Sequence, residues 1–121
     1  MIQVESDKPK NILRVMFSKN VEPDQTRVYV ETVKARIAEL KPGFRLLTDL
    51  SGLSSMDARC APHIENTMDV FRKGGVSKVV RVIPDPSVDI GFNIMSLFHY
   101  RRRTQIVMCE TLEEAEKILA E

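Results

Sequence analysis

Residues 43–58, Gly-Phe-Arg-Leu-Leu-Thr-Asp-Leu-Ser-Gly-Leu-Ser-Ser-Met-Asp-Ala, restrict the fold more than any other stretch of this sequence. Residues 44–49 read as a short apolar strand, and the hydroxyl- and glycine-rich run after it reads as a polar turn. The turn ends where a helix is expected to open. Pro62 fixes that start near Arg59 or later, because proline is tolerated in a first helical turn, whose N–H groups have no internal partner. A buried strand feeding a helix through a polar turn is the repeating unit of an α/β sheet. Ligands and partners of open sheets are met at such strand ends.

The remainder of the chain extends this pattern. Ile2 and Val4 alternate with polar residues, Asp7-Lys8-Pro9-Lys10 reads as a turn, and residues 12–17 read as a second strand, so the chain opens with a hairpin. Tyr29, Val33, Ile37 and Leu40 recur at helical spacing, which predicts an amphipathic helix over 23–40, stopped by Lys41-Pro42-Gly43. The second helix carries Ile64, Met68 and Phe71 on one face and closes at Gly74-Gly75. Residues 76–83 form a β-branched strand. A third helix is expected over 88–102 with Ile90, Ile94, Leu97 and Phe98 on one stripe. A strand over 104–109 follows, and then a terminal helix capped by Thr111 and Glu114 and bearing Leu112, Ala115 and Ile118. Strands alternating with helices imply right-handed crossovers. The expected fold is α/β: a mixed, mostly parallel sheet opened by an N-terminal hairpin, with about four helices packed on it.

A chain of 121 residues is expected to form a single domain over 1–121. Eighteen basic residues against seventeen acidic ones leave a formal charge of +1, so no global field draws nucleic acid or an anionic membrane. Ser6, Asp7, Lys8 and Lys10 interrupt any apolar leader, and no apolar run approaches the ~20 residues of a membrane span. Cys60 and Cys109 form no C-x-x-C pair. A cytoplasmic protein with reduced thiols, no nucleic-acid partner and no stable membrane association is expected.

The order of elements and the 43–58 segment together resemble STAS domains, the fold of bacterial anti-sigma-factor antagonists. In that family an Asp at a strand end, a small polar turn and Asp-Ser-Ser-Gly open a helix. Here Asp57 is followed by Ala58 and Arg59, so the serine that those antagonists phosphorylate is missing. The resemblance covers nearly the whole chain by topology and is specific only over 43–58. Some STAS-like proteins are also likened to the Sec14 lipid-binding fold.

Asp49, Ser51, Ser54, Ser55, Asp57, Ala58 and Arg59 are the candidate partner-binding loop. The plainer account is that Asp49 and Ser51 satisfy backbone groups in the turn while Ser55 or Asp57 caps the next helix. Docking is favoured for the loop as a surface, with Asp49 and Ser51 shaping it, Ser54 and Ser55 offering hydroxyls and Arg59 supplying charge. No catalytic residue is expected: Asp49 lacks the neighbouring carboxylates a metal-dependent strand-end site needs. Cys60 and His63 sit three apart but lack a third group to orient the imidazole. His63 and His99 share no metal motif, so no metal or cofactor is expected. Arg101, Arg102 and Arg103 are accounted for as basic residues complementing a helix C-terminus.

Phe92, Met95, His99 and Tyr100 do not all fit on the stripe of Ile90, Ile94, Leu97 and Phe98, which makes Phe92, Met95, Phe98 and His99 a candidate ligand or dimer surface. A helix apolar around much of its circumference is buried on two sides or meets another molecule. That surface implies a homodimer contact or the wall of a ligand pocket, with self-association favoured. The resulting expectation is a non-enzymatic regulatory protein-interaction module with an unidentified protein partner. The alternative is a carrier or sensor of a small lipophilic ligand.

Overall fold

A computed structural model describes residues 1–83 and 105–121. They form one five-stranded sheet in the order β1 (Ile2–Asp7), β2 (Ile12–Val21), β3 (Arg45–Met56), β4 (Lys78–Val82), β5 (Gln105–Cys109). β1 is antiparallel to β2 and every other pairing is parallel, as the sequence pattern implies. Three α-helices accompany the strands in the described residues: α1 (Pro23–Ile37), α2 (Ala61–Lys73) and α3 (Leu112–Ala120). The expectation of about four counted a helix over 88–102, which lies outside the described residues.

The hairpin turn needs a left-handed residue, and Asn11 supplies it at φ 56°. Asparagine is one of the few residues with a side chain that adopts this region readily. Its side chain also ties the hairpin to the segment before β3, donating to the Lys41 carbonyl at 3.1 Å and accepting from the Lys41 N–H at 2.9 Å. α1 begins at Pro23, preceded by Glu22, whose N–H donates to Gln25 Oε1 at 2.9 Å. It is three residues shorter than its periodicity implies. Glu39 and Leu40 donate to the carbonyls three residues back, tightening the end into a turn of different pitch. Ile37 and Leu40 still pack against the core.

The parallel register alternates side chains between two faces. Leu13, Val15, Leu46 and Val79 face one way, into a core shared with Tyr29 and Val33 of α1 and Ile64 and Phe71 of α2. Ile12, Leu47, Val80, Val82 and Cys109 face the other way, against Ala115 and Leu119 of α3. α3 thus buries Ala115 and Leu119, with Ile118 half-buried, whereas Leu112 stands 43% exposed and is not part of that stripe. Thr111 caps this helix as its sequence implies, its Oγ1 accepting the Glu114 N–H at 3.2 Å. The C-terminal carbonyls of α3 are met by the sheet: Lys78 Nζ donates to Ile118 O at 2.8 Å and Arg45 Nη1 donates to Leu119 O. On the same face Arg14 grips both carboxylate oxygens of Glu116 at 2.9 and 3.0 Å.

β3 departs most from the sequence reading. The strand does not stop at Asp49; residues 50–56 continue it instead of forming a turn. β2 correspondingly runs on through Ser18, Lys19 and Asn20 to Val21. The reason lies in the apolar spacing. Leu50, Leu53 and Met56 fall every third residue, a period that fits neither a regular strand nor a helix. Two register shifts against β2, between Met16 and Ser18 and between Lys19 and Asn20, each place one extra residue on β3. Each extra residue turns a period of two into a period of three. All three apolar side chains therefore reach the same core, at 4, 2 and 6% exposure. Gly52 sits between the bulges, where a Cβ would meet the Ser18 Cβ at 3.2 Å.

Candidate functional site

The tail of β3 leads through Asp57 into a single 3-10 turn (Ala58–Cys60), and that turn leads into α2. The predicted site residues therefore lie along one continuous path, but on a bulged strand and a tight turn, not on a loop. They separate by burial. Asp49 is 4% exposed, so it does not stand on the surface. Its Oδ1 accepts the Ser51 N–H at 2.9 Å, satisfying the amide released where the first bulge breaks the ladder. This shaping role for Asp49 is the backbone-satisfying one its position implies. Ser51, Gly52 and Ser54 are exposed. Ser55 is half-buried and bonds sideways, its Oγ 2.6 Å from Asn20 Oδ1 on β2, so it caps no helix.

Asp57 is the cap. Its Oδ1 accepts the Arg59 N–H at 2.8 Å, holding the first turn. The same carboxylate receives the Arg59 guanidinium, Nε on Oδ1 at 3.0 Å and Nη2 on Oδ2 at 2.8 Å. These side-chain bonds, joined by the backbone one, lower the Asp57 pKa from its ordinary 3.8 to about 2. The pair is solvent-exposed on the arginine side, with 76% of the Arg59 side chain accessible. Ala58 beside it is exposed as well. The turn thus presents a methyl group and a cation-capped carboxylate to solvent.

Cys60 closes the turn fully buried, its thiol directed at the Val21 carbonyl at 3.7 Å, and burial pushes its pKa up. A buried, proton-retaining thiol bonded to a carbonyl is a poor nucleophile. Among the described residues, no three His, Cys, Asp or Glu side chains come together as a metal site. Phe92, Met95, Phe98 and His99 lie outside the described residues, and with them the pocket or dimer surface expected on the third helix.

Sequence reasoning overlooked Arg81. It sits at 1% exposure in β4, in the row that runs from Val15 through Thr48 to Met108. Thr48 beside it is also buried, as is Thr67 of α2. A cation in the middle of the apolar run Val79-Val80-Arg81-Val82-Ile83 was the available signal. An arginine on the core side of a central strand must carry its hydrogen bonds inward, unlike one on a solvated face.

No known family profile and no curated protein matches the sequence. Solved structures do. The anti-sigma factor antagonist SpoIIAA in its unphosphorylated form aligns over 98% of this chain and 94% of its own, with a TM-score of 0.64 at 14% identity. A putative anti-sigma factor antagonist from Thermotoga maritima aligns over 99% and 95%, with a TM-score of 0.63 at 17% identity. An uncharacterised protein from Shewanella loihica with a SpoIIAA-like fold aligns over 98% and 93%, with a TM-score of 0.64 at 12% identity. At such identities the likeness is one of fold.

Proposed function

We propose that this chain, whose fold is the SpoIIAA-like (STAS) fold, is a non-enzymatic regulatory module that binds another protein at the junction of β3 and α2. The observation that carries the reading is the exposure of Ser51, Ser54, Ala58 and Arg59 along the run from β3 into α2. Pairing of β3 with β2 through both bulges, and the Asp57 cap on the following turn, define the backbone that carries these residues. A surface prepaid in conformational entropy binds more tightly than a mobile loop offering the same groups. The chemistry of the run supports binding over catalysis. Asp49 is committed to a backbone amide, Asp57 to Arg59, and Cys60 to a carbonyl. The solved structures of similar fold include proteins described as anti-sigma factor antagonists, which favours a regulatory partner.

The reading also separates this chain from a phosphorylated switch. Ala58 stands where the resemblance places the phosphoacceptor, and a methyl group takes no phosphate. The turn carries the Arg59 guanidinium, paired with Asp57 yet 76% exposed, where a phosphorylated serine would place about two negative charges. The partner surface is therefore expected to be acidic or hydroxyl-rich opposite Arg59, and binding constitutive.

The test is affinity measurement with a partner captured from the native host. Arg59→Glu is expected to weaken binding about 30-fold, the ~2 kcal/mol of a hot-spot arginine. Far-UV circular dichroism should stay unchanged. A captured partner bound equally by wild type, Arg59→Glu and Ser54→Arg would place the interface elsewhere and end the proposal.

A further inference from the structure

Among the described residues β1 pairs with β2 alone, so one edge of β1 carries no ladder. Hydrogen-bond phase fixes which groups stand on that edge. The Met1 amino nitrogen donates to the Ser18 carbonyl at 2.6 Å, and the Ser18 N–H donates to the Met1 carbonyl at 2.8 Å. In an antiparallel ladder such doubly bonded pairs recur at every second residue. The register runs unbroken from Ile2↔Phe17 to Asp7↔Ile12. Gln3, Glu5 and Asp7 therefore turn their backbone groups toward β2, while Ile2, Val4 and Ser6 turn theirs outward.

Edge strands are ordinarily protected by short length, charged side chains (lysine above all), proline, a bulge or an inward-pointing charge. β1, Ile-Gln-Val-Glu-Ser-Asp, has no proline or lysine and its register holds no bulge; its two charges, Glu5 and Asp7, lie on the face away from α1, and its inward side chains Ile2 and Val4 are apolar. Ile2, Val4, Val28 and Tyr29 line an apolar trough of about 450 Å³ between β1 and α1. Val28 is 62% exposed there.

We infer that this edge docks a second copy of the chain, β1 against β1 in antiparallel, about a twofold axis at Val4. Charge and phase together select that register. An axis at Val4 sets Val4 opposite Val4 and Ile2 opposite Ser6, so each outward amide meets an outward carbonyl and the ladder gains about six hydrogen bonds. On the other face Glu5 then stands opposite Gln3. An axis at Glu5 sets two carboxylates directly opposite in the closer, non-hydrogen-bonded position, which is destabilising. An axis at Gln3 leaves Ser6 unpaired. Self-pairing about Val4 bonds every outward group of residues 2–6 and sets no like charges directly opposite, which makes a copy of the chain the occupant that fits. The same axis lays α1 antiparallel to its copy, with Val28 on the shared trough.

Sedimentation equilibrium of the full chain from ~1 µM to ~1 mM should show a monomer–dimer equilibrium. Val4→Pro removes an outward N–H and no bond to β2, so it should weaken association at least tenfold beyond the effect of Val4→Ala, which loses the same core packing but keeps the N–H. In the wild type, exchange of the Ile2, Val4 and Ser6 amides should slow as concentration rises, while Gln3 and Glu5 stay protected throughout. If Val4→Pro fails to fold, this exchange pattern decides alone. A chain monomeric over the whole range overturns the inference. So does a dimer whose outward β1 amides exchange alike at every concentration, or a monomer whose β1 edge is protected only by a different protein.

Discussion

Replacing Leu53 with alanine separates a bulged strand from a surface turn more sharply than any other single change. Leu53 is 2% exposed and belongs to the core shared with α1 and α2, although its neighbours Gly52 and Ser54 are exposed. Truncation removes about three carbons from a buried site, worth ~2.4 kcal/mol at ~0.8 kcal/mol per CH₂. The residual cavity adds to this, and leucine-to-alanine changes in cores cost ~2–5 kcal/mol in total. We expect ~3 kcal/mol. With a urea m-value of ~1.5–2 kcal/mol/M, the unfolding midpoint should fall by ~1.5–2 M at unchanged m. Ser54→Ala, one residue away and facing solvent, should stay within ~0.5 kcal/mol of wild type. Equilibrium urea denaturation followed by circular dichroism measures both. Two variants of equal, near-zero cost would mean that residues 50–56 do not pack as a strand, and the period-three reasoning would be wrong.

Three further outcomes follow from named contacts. Asn11→Ala gives up two bonds to the Lys41 backbone and places alanine at φ 56°, so it should lose ~2–3 kcal/mol in thermal or urea unfolding. Asn11→Gly keeps the backbone freedom and should lose less; the opposite order would refute the role given to the left-handed turn. Asp57 should titrate near 2 by carboxyl NMR, returning toward 3.8 in Arg59→Ala. Its folded pKa is depressed, so the stability it contributes is present above ~4 and lost as pH falls toward 2; a wild-type midpoint near 4 would contradict the pairing. Thr111→Ala should cost ~1 kcal/mol and Thr111→Asp little, because aspartate can accept the same Glu114 N–H.

The sequence patterns that proved legible were those set by local periodicity. Tyr29 and Val33, or Ile64 and Phe71, lie on one face of a helix whatever the rest of the chain does, and Thr111 caps its helix from three residues away. The misread segment depends on a distant partner. Ser51, Gly52, Ser54 and Ser55 have the composition of a turn, and Ser18, Lys19 and Asn20 look equally polar. Each tail is a strand only because the other pairs with it, and only with two extra residues on one side. Neither half signals that alone. Asp49 likewise reads as an exposed strand-end carboxylate, but it is 4% exposed and holds the Ser51 N–H of the continuing strand. Arg81 was hidden in a run of valines because side-chain burial depends on what packs above the strand.

The surface built by that pairing can be tested directly by placing a photo-cross-linking amino acid at Ala58 and, separately, at exposed Lys41, then irradiating the protein in its native host. The account predicts a discrete protein adduct from position 58 and none from position 41. No adduct at 58, or the same adduct from both positions, would contradict it.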